Sequence, residues 1–247
     1  MPQTVVKYKG QAGRSIAAVH AHGVRIARVR FAAPRPNSMV TNFSSQTIAT
    51  YNRIASHFSQ THYEVSFWQK ELKIFASLVP GKKIIDIGCG AGRDAEFFTT
   101  HGLDYTGIDA SAGLLAEASK RLPQAKFILM NFYKLNLPPN SFDGFWAAAS
   151  LLHIPKNKIN RVLSDIKNII KPNGIGFISL KQKTRLDAGL IKEHKYGATI
   201  ERYFAFYDPS EFQTILAHAG FAVVKHHILK ENDVNHTHWL CYFVRKA

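Results

Sequence analysis

Pro80-Gly81-Lys82-Lys83-Ile84-Ile85-Asp86-Ile87-Gly88-Cys89-Gly90-Ala91-Gly92-Arg93 is the stretch on which the fold turns. Pro-Gly is a turn signal. Lys83–Ile87 is a short β-branched run suited to a buried parallel strand. The glycines that follow let the backbone turn sharply and let a ligand approach without a Cβ in the way. Asp94–Thr100 continues as a helix with Phe97 and Phe98 available for packing, and its N-terminal N–H groups face the loop.

A lone glycine-rich loop is a weak signal, so spacing decides. A dinucleotide-binding fingerprint starting at Gly88 requires glycine at 93, where Arg93 stands. The pattern is instead D-x-G-x-G-x-G, from Asp86 to Gly92. A second strand, Asp104–Ile108, ends in Asp109, 23 positions after Asp86. An acid at that place accepts hydrogen bonds from two ribose hydroxyls. Asp109-Ala110-Ser111 then opens a helix through Lys120.

Working outward, Thr47–Phe58 and Glu64–Leu78 read as amphipathic helices ahead of the loop. Behind it come strands at Phe127–Met130, Phe142–Ala148 and Ile175–Leu180, and helices at Asn157–Ile170 and Pro209–Ala219, the last with Gly220 as its C-cap. Phe221–Leu229 and His238–Arg245 form two closing strands around a polar turn, Glu231–Thr237. Strands alternating with helices predict an α/β protein with a parallel sheet covered on both faces, and the closing pair predicts an antiparallel last strand.

The chain at this point resembles the class I S-adenosylmethionine-dependent methyltransferases. The residues that carry the likeness are Asp86-Ile87-Gly88-Cys89-Gly90-Ala91-Gly92-Arg93-Asp94 and Gly107-Ile108-Asp109-Ala110-Ser111, with Leu137-Pro138 before Ser141-Phe142-Asp143, and Ile170-Lys171-Pro172-Asn173-Gly174 before a strand. It spans roughly residues 46–246. The resemblance implies a Rossmann-like, doubly wound, mostly parallel seven-stranded sheet and S-adenosylmethionine as cofactor. It also implies a glycine loop (Gly88, Cys89, Gly90, Gly92, after Asp86) under the methionine part, with Asp109 and Ala110 at the ribose and Arg93 approaching the cofactor carboxylate. Met130, Asn131 and Phe132 fall at the adenine, and Ala148 and Tyr51 complete the cofactor set. One departure stands out: relatives commonly carry Asp where this chain has Asn131, whose amide oxygen can still accept a bond from the adenine amine.

Composition narrows the class without naming an acceptor. The 247 residues are 46% apolar and 20% charged, which excludes wholesale disorder, and the two cysteines, Cys89 and Cys241, cannot build a disulfide framework or a four-cysteine zinc site. No apolar run approaches the roughly 20 residues of a membrane span. The net charge is +15, and residues 1–38 hold seven bases and no acid. That segment reads as a disordered or mis-started extension ahead of Met39, as an organellar transit peptide, or as a basic arm for nucleic acid. Residues 39–247 form the methyltransferase-like domain. The expected place is the cytoplasm, or a mitochondrion or other organelle if the segment is a transit peptide.

Methyl transfer is an in-line displacement that needs alignment and exclusion of water, and for some acceptors a general base. His153, just after the fourth strand, is the candidate base, with a structural histidine bonded to backbone as the alternative. Lys181–Asp208 lies where relatives insert acceptor-recognition elements; Arg202, Tyr203 and Tyr207 are its candidate acceptor residues, and a lid packed on the core is the other reading. His226 and His227 would point to opposite faces of a strand, so no metal site is expected. The leading expectation is transfer of a methyl group to a small molecule. RNA methylation, motivated by the basic charge, and a non-catalytic cofactor-binding protein are the alternatives. No motif specifies the acceptor or the oligomeric state.

Overall fold

The computed structural model describes residues 39–62, 65–231 and 237–247, so the basic segment 1–38 and its competing readings lie outside the described residues. Helix α1 (Met39–Thr61) comes first, then a 3-10 turn (Val65–Trp68) and α2 (Gln69–Leu78). Strand β1 (Lys83–Ile87) matches its sequence bounds, and only Lys83 of its five residues is exposed. Next come α3 (Ala95–Thr100), β2 (Asp104–Asp109), α4 (Ala112–Arg121), β3 (Lys126–Leu129) and β4 (Phe142–Ala148). The chain continues through α5 (Lys156–Ile169), β5 (Ile170–Lys181), a hairpin of β6 (Ala188–Lys195) and β7 (Ala198–Ala205), then α6 (Pro209–His218), β8 (Phe221–Lys230) and β9 (His238–Lys246).

Seven strands form one sheet in the order β3-β2-β1-β4-β5-β9-β8. β1 to β5 run parallel, and β9 pairs antiparallel with both β5 and β8. The doubly wound sheet with an antiparallel last strand is therefore the observed architecture. The strand order reverses between β1 and β4, and ligands in such sheets sit beyond the carboxyl ends of the strands at that switch. The glycine loop leaves β1 at this point. Beneath it the core is aromatic: Trp146 stacks on Phe177 at 4.1 Å, and Phe75 and Phe98 meet Trp146 edge-on. Among the described residues no helix is long and apolar enough to cross a membrane.

Two elements differ from the sequence expectation. The helix expected over 64–78 is broken, its first turn being 3-10 up to Trp68, which is buried against Phe177 and Trp239. The region 181–208, read as an insertion or lid, is a regular two-stranded hairpin with its own register, Ala188↔Ala205 to Lys195↔Ala198. Its two-residue turn is Tyr196-Gly197, both with positive φ (57° and 69°), the conformation that a hairpin's right-handed twist selects. Tyrosine is a poor residue for that position; here the side chain is anchored by a hydrogen bond between its hydroxyl and His62 Nε2 at 3.0 Å.

Candidate cofactor and acceptor site

The loop is built from main-chain groups. Gly88 N and Cys89 N both donate to Ile108 O, at 2.8 and 3.0 Å, which fastens the turn after β1 to the end of β2. Gly90 N donates to Asp109 Oδ2 at 2.9 Å and Ser111 N to Asp109 Oδ1 at 2.8 Å. Each carboxylate oxygen thus holds one amide and keeps a further lone pair. Burial pushes the Asp109 carboxyl upward, and the surrounding amides of Ser111, Gly90 and Ala110 oppose that rise.

The three glycines do different work. A Cβ on Gly88 would lie 2.4 Å from Ser150 Cβ, and one on Gly92 would lie 3.1 Å from Ala118 Cβ and from the Phe127 ring. These two permit close packing. A Cβ on Gly90 (φ 56°) would meet nothing nearer than Phe58, at 3.9 Å. The middle glycine therefore borders open space beside the Asp109 carboxylate, a cradle that fits the sugar and sulfur parts of the implied cofactor.

Other expected cofactor residues take up protein partners. Asp86 is buried and accepts from the Tyr105 hydroxyl at 2.9 Å; burial, with the Asp94 charge next, holds its carboxyl well above the usual range. The Cys89 thiol is buried, and its sulfur would lie 2.9 Å from a Cβ on Gly107, so it packs across the strands. Arg93 closes its guanidinium on Asp94 through Nε and Nη2, both at 2.7 Å, and Asp94 also accepts from Trp146 Nε1 at 2.9 Å. The Asn131 oxygen accepts from Tyr133 N at 3.0 Å. Ala110, Met130, Phe132 and Ala148 are half-buried. Beyond β4 the backbone of Ala149 is held at φ 54° by a bond from its N–H to Ser179 Oγ at 2.8 Å, a strained turn at the end of a sheet strand.

Helix α1 crosses this loop. Asn52 Oδ1 accepts from both Ser111 Oγ (2.8 Å) and Gly113 N (2.9 Å), and Arg121 reaches Ala91 O, Ser59 O and Ser59 Oγ. Gly113 allows the approach, since a Cβ there would sit 3.0 Å from Asn52 O. The helix presents Tyr51 to the acceptor side. Its hydroxyl lies 2.9 Å from His153 Nε2 and 3.0 Å from Arg202 Nη1, and His153 Nδ1 lies 2.6 Å from Tyr203 O. A carbonyl only accepts, so Nδ1 carries the proton. Tyr51 then donates to Nε2 and accepts from Arg202. Burial first, and then the Arg202 and Lys181 charges, depress the His153 pKa to about 3, so the ring is neutral at pH 7. The expected general base thus has its free lone pair engaged by Tyr51 and acts as the anchor of that side chain.

Arg202 is buried, pairs with Glu193 through Nη2, and lies over the rings of Tyr51 and Phe204 at 5.4 and 5.1 Å. Tyr203 gives its carbonyl to His153 while its ring stacks on Phe43 at 5.4 Å. Tyr207, expected beside them, is placed in the core against Phe212, because its neighbour α6 turns the chain back over β9. Sequence reasoning did not single out Lys181, Glu193, Asn52 or Phe58. Lys181 and Asn52 meet partners far away in the chain, which no local spacing reports, whereas Glu193 pairs with Arg202 across the hairpin and Phe58 meets Tyr51 along α1.

The family described as a methyltransferase domain matches residues 84–174. That span is similar to a methyltransferase domain. It runs from β1 through the start of β5 and holds the glycine loop, Asp109 and His153. Similarity to curated relatives is partial. The chain is 35% identical over 103 residues to a sterol 24-C-methyltransferase of Gibberella zeae, covering 39% of this chain and 27% of that protein. It is 25% identical over 134 residues to a demethylmenaquinone methyltransferase of Renibacterium salmoninarum, covering 52% of this chain and 56% of that one. In both cases the match spans less than two thirds of the relative. Among solved structures, a 1,6-didemethyltoxoflavin N1-methyltransferase of Burkholderia thailandensis, with its acceptor and S-adenosylhomocysteine bound, superposes with a TM-score of 0.64 at 18% identity, over 87% of this chain and 93% of that one. At that identity the likeness is one of fold.

Proposed function

We propose that the methyltransferase domain binds S-adenosylmethionine and that the protein transfers its methyl group to a small molecule. The observation that carries this reading is the Asp109 carboxylate, oriented by the Gly90 and Ser111 amides beside the one loop glycine whose Cβ position is open. Asp109 would hold the ribose hydroxyls through its remaining lone pairs, and Gly90 would let the loop lie under the sulfur end. When bound, the cofactor supplies a methyl group made electrophilic by its sulfonium. Met130 and Phe132 would flank the adenine. Tyr51 and Phe58, which meet edge-to-face at 5.5 Å, close the α1 side against water.

Small-molecule acceptors are supported by the named relatives, which act on a sterol, a quinone precursor and a toxoflavin precursor. The basic balance of the chain favours RNA as the second reading; tight, salt-dependent RNA binding would promote it. A thermal-shift titration with S-adenosylhomocysteine tests the first. At about 100 times the dissociation constant the ligand adds about 2.7 kcal/mol, a rise of roughly 5–10 °C in Tm. Asp109→Ala removes the rise and NAD gives none. A folded protein that shows no rise at saturation sinks the reading.

A further inference from the structure

The acceptor side holds more positive charge than its protein partners absorb. Arg202 is 6% exposed, donates Nη1 to Tyr51 and Nη2 to Glu193, and its Nε is buried with no hydrogen-bond partner among the described residues. A buried donor left unpaired costs about 1–3 kcal/mol, so it marks a place where a partner belongs. Lys181, the last residue of β5, is a second cation beside the same aromatic ring. Its Nζ lies 4.9 Å from the centroid of the Phe204 ring, and the Arg202 guanidinium carbon lies 5.1 Å from that centroid. Among the described residues no carboxylate is paired with Lys181. Glu193 and then Glu231 act on it from a distance, but Glu193 is bonded to Arg202 and Glu231 accepts from Trp239 Nε1 at 2.9 Å. Glu193 is thus bonded to Arg202 and shared electrostatically with Lys181, one nearby carboxylate between two cations beside the Tyr51–His153 pair.

We infer that the acceptor is a small, flat organic acid bound as its anion, its acidic oxygen held by Arg202 and Lys181 against the Phe204 ring. The inference rests on the methyltransferase reading and names the acceptor class for it. An arginine offers planar N–H donors matched to an oxyanion, and lysine adds a mobile point charge. The surrounding rings suit a flat body better than a flexible chain. An acceptor that arrives ionised also leaves no proton for His153 to take, in keeping with a ring whose lone pair is already engaged.

The test uses benzoate and its neutral counterpart benzamide as probes, titrated by saturation-transfer NMR into the full chain saturated with S-adenosylhomocysteine. Benzoate is expected to bind at least about tenfold more tightly than benzamide, the equivalent of one charge-assisted hydrogen bond. Lys181→Met, close in length and on a half-buried side chain, should reduce that preference to near parity while S-adenosylhomocysteine affinity stays within about twofold. Arg202→Lys keeps the charge and should retain part of the preference, which guards against a folding defect from the buried site. Equal binding of the two probes, no binding of benzoate, or a preference untouched by Lys181→Met overturns the inference. So does a Lys181→Met variant that binds S-adenosylhomocysteine more weakly but methylthioadenosine, which lacks the carboxylate, as well as before: the cations would then serve the cofactor's own acid. Failure of the wild-type chain to bind S-adenosylhomocysteine would sink the methyltransferase reading instead, which keeps the two failures apart.

Discussion

The proposed cofactor half and the proposed acceptor half of the site are made from different materials. Gly88, Gly90, Asp109 and Ser111 sit within a 24-residue span and act largely through backbone amides held by two neighbouring parallel strands. The acceptor half joins Tyr51, His153, Lys181 and Arg202, from a helix, a 3-10 turn after β4, a strand end and a hairpin, and it acts through side chains. The first is rigid because the sheet fixes its main chain. The second is only as well placed as the packing of α1 and the β6–β7 hairpin, which lie outside the matched domain.

The contrast can be broken most severely at Gly88. Gly88→Ala sets a Cβ 2.4 Å from Ser150 Cβ at φ 77°, so it should lose about 3 kcal/mol or more of stability by combined strain and overpacking. Urea unfolding of that variant, with Gly90→Ala as the control, separates packing from cradle. Gly90→Ala should cost about 1 kcal/mol of backbone strain yet weaken S-adenosylhomocysteine binding more than Gly88→Ala weakens it per folded molecule. Equal stability losses would show that the two glycines are equivalent after all.

A smaller effect is expected at His153, through pH. Its folded pKa is depressed to about 3, below the unfolded value near 6.5, so the unfolded chain binds the extra proton and stability falls as pH drops through 6.5 toward 3. At pH 5 the loss should be about 2 kcal/mol relative to pH 7. His153→Gln, which keeps donor and acceptor capacity, should flatten that part of the stability curve; an unchanged slope would mean that the ring is not buried in solution as it is here.

Asn52 sharpens the comparison most gently. Its one oxygen takes donors from Ser111 and Gly113, so Asn52→Ala should cost about 1–2 kcal/mol, loosen α1, and raise acceptor KM more than it changes cofactor affinity. A loss confined to cofactor affinity would place α1 with the first half.

The two halves were also unequally legible in the sequence. Lys83–Ile87 and Phe142–Ala148 match their observed strands, because a short β-branched or aromatic run beside glycine has few other uses. Asp109 stands out in the sequence by its spacing from Asp86, and the structure places it beside the glycine loop. The hairpin was missed because Tyr196-Gly197 lacks the asparagine or aspartate that announces such a turn, and Tyr196 is instead held by His62. Asp86 and Arg93, expected to face the cofactor, also bond Tyr105 and Asp94; the first pairing joins two strands and no local pattern shows it, whereas Asp94 is Arg93's neighbour in the chain. Lys181 looked like the ordinary end of a strand; its meaning comes only from Phe204 and Arg202, brought there by the hairpin.

The Arg93–Asp94–Trp146 chain has an optical consequence. The indole N–H of Trp146 points at a carboxylate whose other bonds go to Arg93, at the edge of the glycine loop. A ligand that draws Arg93 toward itself leaves that carboxylate's field acting on the indole alone. The proposed binding loop thus has an indole bonded to its edge, and its occupancy by a ligand that draws Arg93 away is expected to change tryptophan emission with no label attached.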